Sequence, residues 1–348
     1  MPAIISIVKS ICFSLTTAAA VLSATQFNFS LNDSNNNSNT DQTKIYPISL
    51  KISQVQFSPD SKNLAVLAGD QLLSSWPVDG GNPTSISKLG SIPLTCLDWN
   101  PRDNNLLIGT SKSQIISYDH ELNGINSNID CKPEIVNQIC ITGVGETVIT
   151  LGTNLNPNGK LTHSAPQISH KNKFKNLENI PDLQYMSICF DSKSGVLALG
   201  AATGEIILVN PFSEVPGKLL VKLESPIEFL KWSTDNLVAS SEGTLHFINC
   251  EKKLCVRSVQ ISNKPVKNFE ISNDNKMLFI AAGSDTVQVR NTTSGELISR
   301  LASTKEMVSA ISLSPDEKTL AVGTCQGNVT LWNTSDFQIK SIIPAGIR

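Results

Sequence analysis

Cysteine and histidine have the widest chemical repertoire in this sequence, since they serve as nucleophiles, bases and metal ligands. The 348-residue chain has eight cysteines and four histidines. Cys12 falls in an apolar N-terminal stretch, which leaves an odd number of thiols: Cys96, Cys131, Cys140, Cys189, Cys250, Cys255 and Cys325. Only Cys250 and Cys255 have a spacing suited to a bridge across a hairpin, so a disulfide there is one hypothesis. We interpret Cys140 and Cys189 as small core or channel-lining residues.

No arrangement of these residues matches a metal or catalytic motif. There is no Cys-x-x-Cys pair, and the histidines are scattered as His120, His163, His170 and His246. The sequence has no nucleophile elbow, phosphate-binding loop or glycine-rich dinucleotide turn. Asp182 and Asp191 have no spacing that would face both carboxylates toward one substrate. A Ser–His–Asp set could assemble between distant strands without a local signature, but the sequence predicts a protein that is not an enzyme and has no cofactor and no metal.

A cluster of lysines lies in the connection between residues 154 and 181, in a repeat seven residues longer than most others. Lys171, Lys173 and Lys175 surround Phe174 there. One hypothesis is a basic loop that docks an acidic partner or a lipid head group. The alternative is a solvated outer strand, in which alternating lysines discourage pairing with another sheet.

The elements that carry these residues recur along the chain. Seven times, a large apolar residue is followed by a turn, a short apolar run and a Gly or Ser. These anchors are Phe57, Trp99, Ile141, Phe190, Trp232, Ile271 and Leu313, spaced by 42, 42, 49, 42, 39 and 42 residues. Short β-rich runs between turn residues predict four antiparallel strands per unit. A period of this size is typical of a repeat protein whose single units cannot bury a hydrophobic face alone.

The end of the third predicted strand is the best-defined position, nineteen residues after the anchor. It holds Trp76, Tyr118, Val209, Arg290 and Trp332. The fifth unit keeps the pattern with Ile248 after losing three residues, which we assign to its first turn. The third unit is the poorest match, and its third strand is predicted near residues 160–163.

This pattern resembles the WD-repeat family. The resemblance is carried by Ser58-Pro59-Asp60, Ser314-Pro315-Asp316, Asn100-Pro101-Arg102, Tyr118-Asp119 and Trp332-Asn333. It implies an all-β fold, a seven-bladed β-propeller of four-stranded antiparallel blades around a central channel. The Gly-His pair that usually precedes the first strand is absent from every unit, so the family's His–Ser–Asp–Trp hydrogen-bonded set cannot form. The sixth unit is also similar to the YVTN type of propeller, which is common in extracytoplasmic prokaryotic proteins.

The two ends of the chain complete the predicted domain organisation. Residues 1–24 have Lys9 ahead of an uncharged stretch, as in a signal peptide; an N-terminal hydrophobic anchor, an amphipathic targeting segment and a mis-set start are the alternatives. Residues 25–43 are rich in Asn and Ser and predict a flexible linker. Residues 44–348 are predicted to form the WD-repeat-like propeller. Its last blade is closed by residues 337–343 or by the stretch around 43–50, and we favour the C-terminal segment.

The signal peptide predicts export, and a cytoplasmic protein is the alternative if residues 1–24 are not a signal. In a eukaryotic secretory pathway, Asn-x-Ser/Thr sequons would become relevant. They begin at Asn28, Asn32, Asn36, Asn291, Asn328 and Asn333.

The family resemblance implies a scaffold, a monomeric ring whose loops bind a protein partner. The net charge of −2 comes with no basic stripe, so nucleic acid is not an expected partner. In the family, partners most often bind the face that carries the turns between second and third strands. Those turns contain Asp70, Lys112, Glu242, Asp285 and Gln326.

The alternative function is an extracytoplasmic propeller that binds or hydrolyses a small molecule at its central channel. Such a site needs several ionisable residues on the first strands. Those strands instead carry an apolar series of Val55, Leu97, Ile139, Ile188, Leu230, Phe269 and Ile311, with Asp98, Lys231 and Glu270 as the charges nearby. The sequence therefore favours the scaffold.

Overall fold

A computed structural model describes residues 50–345, apart from 90, 122–123, 143–146, 171–172, 235, 267 and 303–304. These residues form strands and no α-helix, so no described segment qualifies as a membrane-spanning helix. The predicted signal peptide, the linker and the sequons at Asn28, Asn32 and Asn36 lie outside the described residues.

The strands form seven antiparallel sheets, which are the blades of a β-propeller. Blades 1 to 3 comprise β1 (Ile52–Phe57), β2 (Asn63–Ala68), β3 (Leu72–Pro77) and β4 (Ser85–Lys88); β5 (Leu94–Trp99), β6 (Leu106–Thr110), β7 (Gln114–Asp119) and β8 (Gly124–Asp130); and β9 (Ile135–Ile141), β10 (Val148–Leu155), β11 (Leu161–His163), β12 (Gln167–His170) and β13 (Lys173–Asn176). Blades 4 and 5 comprise β14 (Tyr185–Asp191), β15 (Val196–Ala201), β16 (Glu205–Val209) and β17 (Lys218–Lys222); and β18 (Phe229–Trp232), β19 (Asn236–Ser241), β20 (Thr244–Asn249) and β21 (Leu254–Gln260). Blades 6 and 7 comprise β22 (Asn268–Ile271), β23 (Met277–Ala281), β24 (Val287–Asn291) and β25 (Leu297–Leu301); and β26 (Val308–Leu313), β27 (Thr319–Thr324), β28 (Val329–Asn333) and β29 (Ile339–Ile343).

Strand register confirms the alignment of the repeats. In blade 7, the anchor Leu313 pairs with Leu320, which pairs with Trp332 at the end of the third strand. Five further blades have the same row, ending at Trp76, Tyr118, Val209, Ile248 and Arg290. The spacing of nineteen residues between anchor and third-strand end thus reflects one lateral row of the sheet.

Two of the predicted details need correction. The third strand of blade 3 is split: β11 pairs with the far end of β10, whereas β12 pairs with its near half and carries the buried Ile168. The prediction near residues 160–163 therefore found only the outlying piece. In blade 5, Trp232 pairs with Leu237, five residues on rather than the usual seven, and Leu237 pairs with Ile248, eleven residues on rather than twelve. The first turn thus loses two residues and the second turn loses one.

Seven apolar clusters hold the ring together, each between two neighbouring blades. The seven apolar residues predicted on the first strands each belong to a different cluster and are core residues: Val55, Leu97, Ile139, Ile188, Leu230, Phe269 and Ile311. Glycines near the ends of second strands allow the blades to approach. A Cβ on Gly323 would lie 2.5 Å from Ile52 Cγ2, and one on Gly200 would lie equally close to Ile227. In these units, the Gly that ends the apolar run is needed because a larger residue would clash with the neighbouring blade.

Side-chain hydrogen bonds join the first strands of adjacent blades. Gln54 Nε2 donates to Leu97 O at 2.8 Å, and Leu97 N donates to Gln54 Oε1 at 3.0 Å. Gln138 makes the same pair of bonds to Ile188, at 2.8 and 3.0 Å. Asn268 Nδ2 donates to Ile311 O, on the first strand of the following blade, at 3.0 Å. These bonds fix the blades in register around the channel.

The ring closes between blades 7 and 1. Ser309 Oγ donates to Ile52 O at 2.7 Å, and Asp316 N donates to Ser61 Oγ at 3.0 Å. β29 is hydrogen-bonded to β28 as the outer strand of blade 7. Closure of the last blade by the C-terminal segment is therefore confirmed.

Candidate functional site

The turns between second and third strands gather on one edge of the ring, which we call the b–c rim. Lys112, Glu242, Asp285 and Gln326 lie there in blades 2, 5, 6 and 7 and are exposed; Asp70, in blade 1, is half-buried. The fold brings residues that are up to 256 positions apart to equivalent places on one surface. Their role in partner binding stays a prediction.

An extended hairpin in blade 3, which the sequence reasoning missed, adds to the b–c rim. β10 and β11 pair up to Leu155 and Leu161, and the turn between them is exposed. Glu134 braces this hairpin, because Leu155 N donates to Glu134 Oε2 at 2.6 Å and Glu134 N donates to Asn154 Oδ1 at 3.0 Å. Leu155 is 41% exposed at its tip. The Asn-Pro-Asn-Gly sequence of the turn was the available signal.

Glu228 sits beside the predicted partner residue Glu242. Burial raises the pKa of Glu228 to about 7, partly offset by a hydrogen bond from the Glu242 amide, and the Glu242 carboxylate raises it further. The Glu228 carboxyl is therefore only partly ionised at neutral pH, beside the Glu242 carboxylate on the b–c rim. Glu228 was not identified from the sequence, because its neighbour in space is fourteen residues away in the chain.

The first strands also carry a polar row, which we call the inner belt: Gln56, Asp98, Cys140, Cys189, Lys231, Glu270 and Ser312. Lys231 and Glu270 form an ion pair between blades 5 and 6. Burial raises the pKa of Asp98 to about 7, although hydrogen bonds from the Trp99 and Ile141 amides and the charge of Lys231 oppose that rise. Each member occupies the same position of its strand, so the belt follows from the repeat.

A cleft of about 350 Å³ opens on the opposite edge, the a–b rim, which carries the turns between first and second strands. It lies where the shortened turn of blade 5 sits between the longer turns of blades 4 and 6. Its lining includes the half-buried Trp232, the exposed Lys193 and the polar Asn273. Thr234 Oγ1 donates to Asn273 O at 2.9 Å and ties the short turn to its neighbour.

The seven described cysteines are free thiols. The disulfide hypothesis for Cys250 and Cys255 is therefore wrong in this structure: β20 and β21 pair Cys255 with Ile248, and Cys250 lies in the following turn. His120 is buried against Trp99, with ring centroids 4.8 Å apart. Among the described residues no group of three His, Cys, Asp or Glu side chains could hold a metal ion.

The predicted basic segment of blade 3 is an outer strand in the part that the structure describes. Lys173 and Lys175 of β13 are exposed, and Phe174 between them packs against the cluster shared by blades 2 and 3. Lys171 lies outside the described residues. The lysines thus occupy the position that the solvated-strand interpretation expected.

Comparisons with known proteins agree with this architecture. The family profile described as "WD domain, G-beta repeat" matches residues 295–333, from the turn before the outer strand of blade 6 to the end of the third strand of blade 7. A crystal structure of the computationally designed Ika8 protein is similar, with a TM-score of 0.63 at 14% identity over 82% of this chain and 96% of that one. At this identity the likeness concerns the fold alone. No curated protein sequence matches. The chain is thus a seven-bladed β-propeller that carries a WD repeat at residues 295–333, in a divergent sequence.

Proposed function

We propose that this protein is a non-catalytic scaffold that binds a protein partner on the b–c rim. The observation that carries the proposal is the convergence of Lys112, Glu242, Asp285 and Gln326 as exposed side chains at equivalent turns of one rim. Their mixed charges favour a specific polar contact over long-range attraction by net charge. WD-repeat propellers are generally interaction modules, which supports this function.

Rigidity of the ring supports the same proposal. Hydrogen bonds between first strands and a closed ring hold the turns in fixed relative positions. A preorganised surface loses less conformational freedom on binding, so more of the contact energy appears as affinity. The blade 3 hairpin adds an ordered projection with an exposed leucine at its tip.

Site-specific photo-crosslinking in the native cell tests the proposal. A photoreactive residue would replace Lys112, Glu242 or Asp285 on the b–c rim, and matched controls would replace Lys62 or Lys318 on the a–b rim. We expect one crosslinked partner from the b–c positions and none from the controls. Crosslinks to that partner from the a–b positions alone would contradict the proposed surface.

A second candidate function is small-molecule binding at the channel, which the inner belt supports. Asp98 and Glu270 are its two described carboxylates, and Glu270 is already paired with Lys231. The two variants Asp98→Asn and Glu270→Gln should abolish binding of such a ligand and leave partner crosslinking on the b–c rim intact. Unchanged ligand binding in both variants would contradict a site at the inner belt.

We also propose that the protein is exported, on the basis of the sequence of residues 1–24. Intact mass and cell fractionation test this step. A product that lacks about 24 N-terminal residues and lies outside the cytoplasm supports export, as expected for a cleaved signal peptide. A full-length cytosolic product would contradict it and leave an intracellular scaffold.

A further inference from the structure

The outer strands of blade 5 bring together a thiol, a hydroxyl and an imidazole that the proposed scaffold does not use. His246 Nδ1 lies 2.8 Å from Ser258 Oγ. Cys255 Sγ lies 3.5 Å from the same hydroxyl and 4.0 Å from the imidazole nitrogen. Ser258 is exposed, and Cys255 and His246 are half-buried. A small reagent in solvent can therefore reach the group.

A β-bulge creates this arrangement. β20 and β21 pair Ile248 with Cys255 and His246 with Ser258, with a shift in register between the two pairs. Residues three apart on a regular strand face opposite sides of the sheet. The bulge adds one residue, Val256, so that Cys255 and Ser258 both reach the face of His246. In blades 2, 6 and 7 the position of Cys255 is occupied by Ile125, Leu297 and Ile339.

Most of the other described thiols are in settings that disfavour reaction. Burial raises the pKa of Cys96 to about 12 and that of Cys131 and Cys189 to about 11, and it also raises the pKa of Cys140 and Cys250. A raised pKa leaves less of the reactive thiolate at neutral pH. Within the described part of the chain, no thiol other than Cys255 has an imidazole as a hydrogen-bond partner.

We propose that Cys255 is a site of thiol–disulfide exchange with small disulfides, and that His246 takes up the thiol proton through Ser258. In the neutral imidazole, Nδ1 accepts the Ser258 hydroxyl proton, and the hydroxyl oxygen accepts from the thiol. Burial lowers the pKa of His246 and so favours this neutral form. The Cys255 thiol also lies 3.3 Å from Arg257 O, which is an alternative acceptor for its single proton.

The exchange balances without an external oxidant. The Cys255 proton passes to Ser258 Oγ as the Ser258 proton passes to His246 Nδ1. The thiolate attacks one sulfur of the disulfide R–S–S–R, forming a bond to that sulfur while the reagent's own S–S bond breaks. The products are a mixed disulfide at Cys255 and the departing thiol: a basic leaving thiolate takes the proton from His246 and becomes R–SH, whereas a weakly basic aromatic thiolate leaves as R–S⁻ and His246 releases the proton to water.

The test is the rate at which an aromatic disulfide with a coloured leaving thiolate modifies the folded full-length protein, with peptide mass spectrometry to locate the label. We expect Cys255 to react first and Cys255→Ser to remove the fast phase. His246→Gln and Ser258→Ala should each slow modification of Cys255 by about tenfold or more, because a positioned base is lost. The matched control Cys325→Ser, at a half-buried thiol of blade 7, should leave the fast phase unchanged.

Two results would overturn the proposal. One is faster labelling of Cys325 or any other cysteine than of Cys255. The other is an unchanged rate at Cys255 in a folded His246→Gln protein, with folding checked by circular dichroism. If His246→Gln does not fold, Ser258→Ala decides the matter, because its side chain is exposed and an unchanged rate there would also exclude the relay. The assay needs no partner, so its outcome is independent of the scaffold function.

Discussion

At the scale of single residues, the amides of the first strands are the side chains that specify the ring. A primary amide has a donor and an acceptor side by side, and so it can bond both the N–H and the C=O of one backbone residue. Gln54 and Gln138 use this property on Leu97 and Ile188 of the following blades. Each glutamine side chain thus bonds both backbone groups of one residue in the next blade, as a neighbouring strand would.

Gln54→Ala should destabilise the protein by about 1–3 kcal/mol, because it leaves the N–H and C=O of Leu97 without partners. Urea unfolding monitored by circular dichroism would measure the loss. Gln338→Ala, at an exposed position on blade 7, is the matched control and should change stability little. Equal stability of the two variants would show that water satisfies the freed backbone groups.

Asp98 makes stability depend on pH. Its folded pKa of about 7 exceeds the ordinary value of 3.8, so between these values the folded state holds more protons than the unfolded state. Stability should therefore fall as pH rises from about 4 to 7, with a slope of up to about 1.4 kcal/mol per unit. Asp98→Asn should remove this contribution, as urea unfolding at pH 5 and 7.5 would measure. The pKa of Glu228 is also raised, so Glu228 makes a second contribution to the fall of stability with pH. That contribution should remain in Asp98→Asn and disappear in Glu228→Gln.

At the scale of elements, hydrogen-bonded turns between first and second strands recur. In blade 1, Ser58 Oγ donates to Asp60 Oδ1 at 2.6 Å and accepts from Asn63 N at 2.9 Å. The equivalent bonds recur in blades 6 and 7 through Ser272 and Ser314. One serine therefore fixes both the turn and the first residue of the second strand.

Ser58→Ala should cost about 1–2 kcal/mol, because the N–H of the half-buried Asn63 loses its side-chain acceptor. The hydrogen bond from Ser58 lowers the pKa of Asp60, so the pKa should move back toward 3.8 in the variant. Chemical denaturation and an NMR titration measure the two effects. Ser194→Ala in blade 4 removes an exposed hydroxyl bond to Asp191 and should have a smaller effect on stability. An unchanged Asp60 titration would contradict this account of the turn.

At the scale of the whole molecule, every blade is built from one continuous stretch of chain, including blades 1 and 7 at the closure. The seam is held by the same types of contact as the other junctions. Ile343 and Ala345 of the last blade share an apolar cluster with Leu50 and Ile52 of the first. The two ends of the described chain are therefore close. The junction between blades 7 and 1 is stabilised like the other junctions, wherever along the ring the chain begins.

A circular permutant tests this interpretation of the closure. Joining residue 345 to residue 50 through a short glycine-rich linker, with new ends between residues 224 and 225, should give a folded ring with one cooperative transition. By contrast, deletion of residues 337–345 removes β29 and should cost about 3 kcal/mol or more, because the burial of Ile343 and of the residues that it covers is lost. It also exposes β28 as an unpaired edge. A permutant that does not fold while the truncated chain does would show that the seam differs from the other junctions.

The sequence alone determined the number of blades and the rows that run across them, and it favoured the C-terminal segment as the strand that closes the ring. These features depend on the spacing of apolar and turn residues along the chain, which a repeat displays without reference to distant parts. The same spacing located the turns of Asp70, Lys112, Glu242, Asp285 and Gln326 on one rim, because alternate connections of an antiparallel blade lie on the same edge.

Only the tertiary structure decided the split third strand of blade 3, the division of the blade 5 deletion between two turns, and the meeting of Cys255, Ser258 and His246. A β-bulge changes which face a residue occupies by adding one unpaired position, and residue types do not reveal which position that is. The role of the first-strand glutamines could not be predicted from the sequence either, because their partners are backbone groups of the next blade. Spacing along the chain sets which residues share a strand, whereas register and the approach of neighbouring blades set which side chains meet.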